Sequence, residues 1–307
     1  MNKGNVLIVD DVHQNMMDGL LKLGYSYDYK PEIKPEEILE IIGNFQGLVI
    51  RSKTKINNTF LDKASNLKFI ARAGAGLDLI DEKEAESKGI QIFAANAGNA
   101  VAVAEHVLGL LLAISSKIKK AHIEATNGIF DRESNRGWEL AGKTIGVIGY
   151  GHNGSALVKR LKNFEMNILV YDKYKSGFEF ESNMDEIFKK ADIISLHIPA
   201  TTETIGMVND SFIQKFQKPF VFLNVSRGNI SPLKPLNDGL EKGKIIGAGM
   251  DVLPNEKVST WNEEETKEYV RLMNHPNVII TPHVAGWSVE SYEKIPLVLL
   301  EQIKNIK

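Results

Sequence analysis

Short apolar runs recur along this chain, bounded by Gly, Pro and charged residues and separated by longer helix-forming stretches. Asn5-Val-Leu-Ile-Val-Asp10, Gly47-Leu-Val-Ile50, Thr144-Ile-Gly-Val-Ile148 and Phe220-Val-Phe-Leu-Asn-Val225 are examples. Runs of this length and polarity read as strands buried on both faces, as in a parallel sheet. The pattern predicts strands near 5–10, 25–29, 47–51, 68–72 and 90–93, with helices near 14–23, 34–43, 57–65 and 81–88 between them. After residue 143 it predicts strands near 144–149, 167–171, 192–197, 220–225, 245–250 and 278–281. Strand–helix alternation implies parallel sheets covered by helices, with right-handed crossovers. The expected fold class is α/β, with two doubly wound parallel-sheet domains and a cleft between them.

Between the two series lies Ala102-Val-Ala-Glu-His-Val-Leu-Gly-Leu-Leu-Leu-Ala-Ile-Ser-Ser-Lys117, long, apolar and rich in helix formers. Its apolar positions run nearly all round, which predicts a buried helix, either a connection between domains or an ordinary core helix. The last segment, 289–306, also reads as a helix. If it returns to the first domain, that domain is discontinuous.

In open α/β sheets the ligand crevice lies at the carboxyl ends of the strands. Three polar residues stand just beyond such ends: Arg227 after 220–225, Glu256 after Ile245-Ile-Gly-Ala-Gly-Met-Asp-Val252, and His283 after Val278-Ile-Ile-Thr-Pro282. A guanidinium binds a carboxylate through two parallel hydrogen bonds. An imidazole exchanges a proton near neutral pH, and a nearby carboxylate raises its pKa. Together they suit reduction of a 2-oxo acid. Singly, each has a plainer reading as surface Arg, solvated loop acid or structural His.

Gly149-Tyr-Gly-His-Asn-Gly154 has the spacing G-x-G-x-x-G. The spacing alone is weak, but an apolar run precedes it and the helix-like Ser155-Ala-Leu-Val-Lys-Arg-Leu-Lys162 follows. Asn167-Ile-Leu-Val-Tyr-Asp172 then ends in an acid. This is the context of a dinucleotide-binding turn. Gly149 permits the turn, Gly151 admits a pyrophosphate, and Gly154 allows close helix packing. The pyrophosphate would rest on the helix N-terminus. Asp172 would accept the ribose hydroxyls of NAD and repel the 2′-phosphate of NADP, with Lys173 and Lys175 acting in the opposite sense.

Composition narrows the field. The chain has 307 residues, enough for two domains, and a formal net charge of −2, which gives no reason to expect nucleic acid as a partner. With no cysteine, disulfides, thiolate nucleophiles and Cys-ligated metals are excluded. No signal-peptide core follows Met1, and the longest apolar stretch, near 107–114, is too short to span a bilayer. A cytoplasmic protein without membrane partners is expected. His13, His106, His122, His152, His197 and His275 show no metal-ligand spacing, so no metal site is expected.

The chain resembles the D-isomer-specific 2-hydroxyacid dehydrogenase family, most of all its phosphoglycerate dehydrogenase branch. The matching segments run in order over nearly the whole chain. They are Arg72-Ala-Gly-Ala-Gly-Leu-Asp78, 99–105, Gly142-Lys-Thr-Ile-Gly-Val-Ile-Gly-Tyr-Gly151, Ser195-Leu-His-Ile-Pro199, 224–228, Met250-Asp-Val252 with Glu256, and Thr281-Pro-His-Val-Ala-Gly286. The resemblance implies a discontinuous flavodoxin-like substrate domain, 1–97 plus 286–307, and a Rossmann NAD-binding domain, 98–285. It also implies a homodimer through the latter.

The implied substrate pair is a D-2-hydroxy acid and its 2-oxo acid, most of all 3-phosphoglycerate and 3-phosphohydroxypyruvate of serine biosynthesis. Hydroxypyruvate or glyoxylate reduction is the alternative, and an NAD-sensing binding protein is the alternative from another class. An adenosylhomocysteine-type hydrolase fits the length poorly. The implied catalytic set is Arg227, Glu256 and His283. Cofactor-binding residues would be Gly149, Gly151, His152, Asn153, Gly154, Asp172, His197, Pro199, Thr204, Val225, Ser226, Asp251 and Gly286. Substrate-binding residues would be Arg51, Ser52, Gly74, Ala75, Gly76 and Asn99. Arg51, with Lys53 and Lys55 beside it, is expected to meet the phosphate end.

Departures from the family pattern are Ala94-Ala-Asn96 in place of Asn-x-Pro, His152-Asn153 in place of Arg-Ile, and Lys257 in place of Pro. The chain ends at Lys307, so the regulatory domain of many relatives, and serine feedback through it, are not expected.

Overall fold

The computed structural model describes residues 3–306; Met1, Asn2 and Lys307, at the outer ends of the expected first domain, lie outside the described residues. By its contacts the chain divides into two compact units, Met1–Ala100 with Trp287–Lys307, and Val101–Gly286.

In the first unit, strands β1 (Asn5–Ile8), β2 (Ser26–Tyr29), β3 (Gly47–Ile50), β4 (Phe69–Arg72) and β5 (Gln91–Ala94) alternate with α1 (Asn15–Leu23), α2 (Pro35–Ile41), α3 (Asn58–Lys63) and α4 (Glu82–Ser87). All pairings are parallel, in the order β2-β1-β3-β4-β5. That is the flavodoxin-like doubly wound order. The unbroken apolar runs have a direct cause. Leu7, Val9, Leu48 and Ile50 enter one core cluster, while Val6, Ile8 and Val49 enter another. Alternate side chains point to opposite faces, and both faces are covered.

The second unit begins within α5 (Ala100–Ser115) and continues through α6 (Ile118–Thr126), β6 (Thr144–Ile148), α7 (His152–Leu161), β7 (Asn167–Tyr171), α8 (Met184–Lys190) and β8 (Ile193–Leu196). It is completed by α9 (Asp210–Lys215), β9 (Phe220–Asn224), α10 (Leu233–Glu241), β10 (Ile245–Met250), α11 (Glu263–Asn274) and β11 (Val278–Ile280). The sheet is again wholly parallel, β11-β10-β9-β8-β6-β7. Val170 of β7 makes one further parallel bridge to Glu181, a rudimentary outer strand. With it the order becomes that of a Rossmann sheet, whose switch point lies beside β6. The α/β class with two doubly wound sheets is therefore observed.

Helix starts follow local chemistry. Asn57, Asp81, Asn183, Asn209 and Asn262 each accept a hydrogen bond from an amide of the first turn. Helices α6 and α8–α11 had not been delimited from sequence. A left-handed residue, Lys117 at φ 52°, ends one helix and starts α6 at a 60° bend. The expectation for 102–117 needs correction. Val103, Val107, Leu110, Leu111 and Ile114 are buried, but Val101, Glu105, Gly109 and Leu112 form an exposed stripe. Near-continuous apolarity did not mean burial all round. Among the described residues no single helix is long and apolar enough to cross a membrane.

The last helix, α12 (Val289–Ile303), packs on α1, β4 and β5. Leu299, Leu300 and Ile303 join Met16, Met17 and Leu20 in one cluster. Ser288 and Ser291 make a reciprocal cap at its start. Leu299 is fully buried, so Leu299→Ala should destabilise the protein by about 2–5 kcal/mol. A lowered urea midpoint with retained parallel-sheet circular dichroism is the expected measurement; an unchanged midpoint would show that α12 contributes little to the first unit.

Candidate active site

Arg227 follows β9 in a tight turn pinned by Asn224, which has no exposed surface. The Asn224 side-chain amide donates to Arg227 O at 3.0 Å and to Ser231 Oγ at 2.9 Å. Its Oδ1 accepts from Ser226 N at 3.0 Å and Ser226 Oγ at 2.9 Å. The guanidinium is partly exposed, and its Nη1 donates to Ser226 O at 2.7 Å. Gly228 lets this turn lie against the next one. A Cβ there would stand 2.0 Å from Leu253 C and 2.5 Å from Pro254 N, just before Glu256.

His283 Nδ1 and Glu256 Oε2 are 2.9 Å apart, with the side chains 49% and 43% exposed. Solvent thus reaches a paired imidazole. The hydrogen bond to Glu256 raises the His283 pKa above its usual value. Burial opposes this, the charges of Glu256 and Asp251 add to it, and Arg227 lowers it. For Glu256, burial pushes upward, but the His283 hydrogen bond and charge, the Leu253 amide and Arg227 outweigh it, so its pKa is lowered. Both shifts favour a carboxylate–imidazolium pair beside a guanidinium.

His283 adopts φ 56°, an unusual conformation for a residue with a side chain. Asp251, only 1% exposed, enforces it. Its carbonyl accepts from His283 N at 2.8 Å, and its carboxylate accepts from Val284 N at 2.9 Å, Ala285 N at 2.8 Å and Thr281 Oγ1 at 2.5 Å. His106 of α5 reaches the same group, with Nε2 2.9 Å from Thr281 Oγ1 and 3.6 Å from Asp251 Oδ1. Sequence reasoning missed the roles of Asn224, Gly228 and His106. Gly228 and His106 meet residues distant in the chain, which no local pattern signals, whereas Asn224 works within its own turn.

The glycine-rich turn sits between β6 and α7. Gly149 has φ +102°, and a Cβ on Gly154 would fall 1.9 Å from Gly149 O, so both positions require glycine. Nothing lies within 4 Å of a Cβ built on Gly151, which leaves that face open. Gly151 is the N-cap of α7 and offers no side-chain acceptor to the first-turn amides. His152 is exposed and Asn153 half-buried, with Asn153 Oδ1 enclosed and without a hydrogen-bond partner among the described residues. Asp172 stands beside this turn. It accepts from Tyr150 N at 2.7 Å, Tyr174 N at 2.9 Å and Lys175 N at 3.1 Å. Burial raises its pKa, these amides and Lys175 lower it, and the net shift is downward. The acid therefore shapes the turn.

His197, after β8, bonds Ser195 Oγ through Nε2 at 2.9 Å; its Nδ1 is enclosed without a partner among the described residues. Burial pushes its pKa down to about 4, so the ring is neutral at physiological pH. The Thr204 hydroxyl donates to Pro199 O at 2.7 Å, closing the loop beyond β8. Val225 and Ser226 are buried, and Gly286 is half-buried at the end of the unit.

The expected substrate-binding residues fall in the first unit, at the carboxyl ends of β3 and β4 and just before α5. Arg51 N donates to Asp10 Oδ2 at 2.6 Å, and its guanidinium lies 4.0 Å over the ring of Trp287. Nη1 also donates to Asp11 O at 3.3 Å. Ser52 is exposed. Gly74 is buried because the Arg72 guanidinium occupies the space of a Cβ; Ala75 and Gly76 are half-buried. Asn99 Oδ1 is enclosed and has no partner among the described residues. Trp287, which faces Arg51, was not singled out from sequence.

Residues 108–285 match the model of the D-isomer specific 2-hydroxyacid dehydrogenase family, NAD binding domain. The chain belongs to this family. It is 35% identical to D-3-phosphoglycerate dehydrogenase of Methanocaldococcus jannaschii, over 98% of its own length and 57% of that protein's. It therefore spans little more than half of that relative. It is 34% identical to hydroxypyruvate reductase of Thermotoga maritima, over 88% of each chain. A solved D-lactate dehydrogenase of Aquifex aeolicus, complexed with NAD and lactic acid, superposes with a TM-score of 0.83 at 25% identity, over 98% of this chain and 94% of that one.

The His283–Glu256 pair generates a prediction for catalysis of 2-oxo acid reduction, which consumes a proton. Its kcat/KM should be flat at low pH and fall as pH rises through the raised His283 pKa. Glu256→Gln removes the main cause of that elevation, so the midpoint should move to lower pH. A pH profile of parent and variant, taken with hydroxypyruvate and NADH, checks this; coincident midpoints would show that Glu256 does not set the proton affinity of His283.

Proposed function

We propose that this chain is an NAD-dependent dehydrogenase that interconverts a D-2-hydroxy acid and its 2-oxo acid. The observation that carries this reading is the 2.9 Å pair of His283 and Glu256, with the Arg227 charge acting on both. The open face at Gly151, the uncapped start of α7 and Asp172 fit a dinucleotide. Gly149, Gly151, Gly154, Asp172, Pro199 and Thr204 would hold it, and its nicotinamide would supply or accept the hydride. Asp172 favours NAD over NADP, because its carboxylate would repel a 2′-phosphate.

The remaining work belongs to side chains. Arg227 would grip the substrate carboxylate and stabilise negative charge on the neighbouring oxygen. His283 would give its proton to that oxygen in reduction and recover it in oxidation. Glu256 keeps the ring oriented and makes its charged form favourable. Amides around Gly74–Gly76 and the Asn99 side chain are proposed as further substrate contacts.

For the substrate we favour 3-phosphohydroxypyruvate and 3-phosphoglycerate, supported by Arg51 at a strand end and by the phosphoglycerate dehydrogenase among the relatives. Hydroxypyruvate is the second reading. Asp10 and Asp11 beside Arg51 weaken its attraction for a phosphate, and the hydroxypyruvate reductase matches over most of both chains. The deciding experiment compares kcat/KM for 3-phosphohydroxypyruvate, hydroxypyruvate, glyoxylate and pyruvate with NADH. On the first reading the phosphorylated acid is preferred, and Arg51→Ala erases that preference by roughly ten- to a hundredfold. Preference for hydroxypyruvate selects the second reading, and no turnover of any 2-oxo acid sinks both.

A homodimer and a cytoplasmic setting belong to the same proposal. The second unit exposes Val101, Leu112, Ile118, Ile123 and Ile129, and Phe130 is 83% exposed. Such apolar exposure favours burial against a second copy. Phe130→Asp should convert a dimer into monomer in light scattering behind gel filtration; a monomeric parent would refute the assembly.

A further inference from the structure

The catalytic histidine is held by a chain of hydrogen bonds that starts on α5. Thr281 has one hydroxyl proton, and it is donated to Asp251 Oδ1 at 2.5 Å. The contact of Thr281 Oγ1 with His106 Nε2 at 2.9 Å therefore requires His106 to be the donor. Hydrogen-bond accounting fixes the proton on Nε2. His106 also stands 3.6 Å from Asp251 Oδ1, and its side chain is only 23% exposed. Asp251 in turn binds the amides of Val284 and Ala285, while its carbonyl receives His283 N. The left-handed backbone at His283 is thus braced on both sides by a residue that His106 orients.

We propose that His106 is a positioning residue for catalysis: its Nε2–H orients Thr281 and Asp251, and through them the turn that presents His283. His106 does not exchange a proton with substrate; its imidazole acts as a fixed donor. Leu at this position would keep much of the volume and remove the donor. Gln would place an amide N–H near the Nε2 position and restore it. The proposal rests on the reading of His283 as the acid/base group.

The test uses purified full chain with NADH and hydroxypyruvate. His106→Leu should lower kcat by about ten- to a hundredfold, the scale of misplacing a reacting group. KM for NADH should stay within about threefold, because the lost contact lies outside uniform binding. His106→Gln should recover most of kcat. Thr281→Val should match His106→Leu, and the double variant should be no worse than the poorer single, since both cut one chain. Should His106→Leu fail to fold, Thr281→Val and His106→Gln carry the same comparison. Parental kcat in His106→Leu, additive losses in the double variant, or no recovery with Gln would each overturn the proposal.

Amide hydrogen exchange separates this from the catalytic reading. In His106→Leu the amides of His283, Val284 and Ala285 should exchange faster while β9 and β10 stay protected. If the parent reduces no 2-oxo acid, the catalytic reading fails, and the exchange pattern alone decides the positioning role. Unchanged exchange at those three amides would end it.

Discussion

The site depends on one buried carboxylate. Asp251 leaves β10 almost fully shielded from water, where an ionised acid is tolerated only with its oxygens satisfied. Three donors satisfy them: the Thr281 hydroxyl and the amides of Val284 and Ala285. Those donors lie around His283, so meeting the demand of the acid builds the turn that carries it. Asp251 N also donates to Asn224 O at 2.9 Å, and Asn224 shapes the turn of Arg227. One residue therefore ties together the two turns that carry the cation and the imidazole. Removing it would leave several buried polar groups without partners, a larger loss than any single hydrogen bond.

The parallel sheet makes this economy possible. β9, β10 and β11 are neighbours, in register from Asn224 to Met250 to Ile280. Their carboxyl ends come together, although the residues beyond them are up to 56 positions apart in sequence, from Arg227 to His283. Gly228 sharpens the juxtaposition, because the Leu253–Pro254 backbone passes where any side chain would stand. The same logic places the glycine-rich turn at the end of β6, beside the switch point where neighbouring connections run to opposite faces. Distances in this site are thus set mainly by sheet geometry and turn packing.

How much of this was readable from the sequence follows from the range of each interaction. Strands were readable because both faces are buried, and a run such as Val6-Leu-Ile-Val9 has no other economical home. The places of Arg227, Glu256 and His283 beyond strand ends were readable because each follows such a run. The braces were not. His106 and Thr281 are separated by 175 positions, and nothing local distinguishes His106 from an ordinary core histidine. The positive φ of His283 was equally hidden, since turn chemistry normally assigns that conformation to Gly or Asn. The exposed stripe of α5 was misjudged because Val101 and Leu112 look like core residues by type. The strand-end place of Arg51 was readable, but its acidic neighbours and its stacking on Trp287 belong to tertiary structure.

The electrostatics of the His283–Glu256 pair set how much it adds to folding. His283 has a raised pKa, so its contribution to stability is complete below the unfolded value near 6.5 and is lost as pH rises through the folded value. Glu256 has a lowered pKa, so its contribution is complete above the unfolded value near 4.5 and is lost as pH falls through the folded one. The two windows overlap between those unfolded values and extend only partly beyond. With both side chains more than a third exposed, solvent screens the attraction. A pair of that kind contributes about 0–1 kcal/mol to folding. Its stabilising effect is therefore small beside the apolar cores under the same sheet. The exposure that weakens the pair as a structural element also leaves the imidazole open to solvent. Burying the pair would remove that access, and the cost of desolvating two charges would offset the stronger attraction.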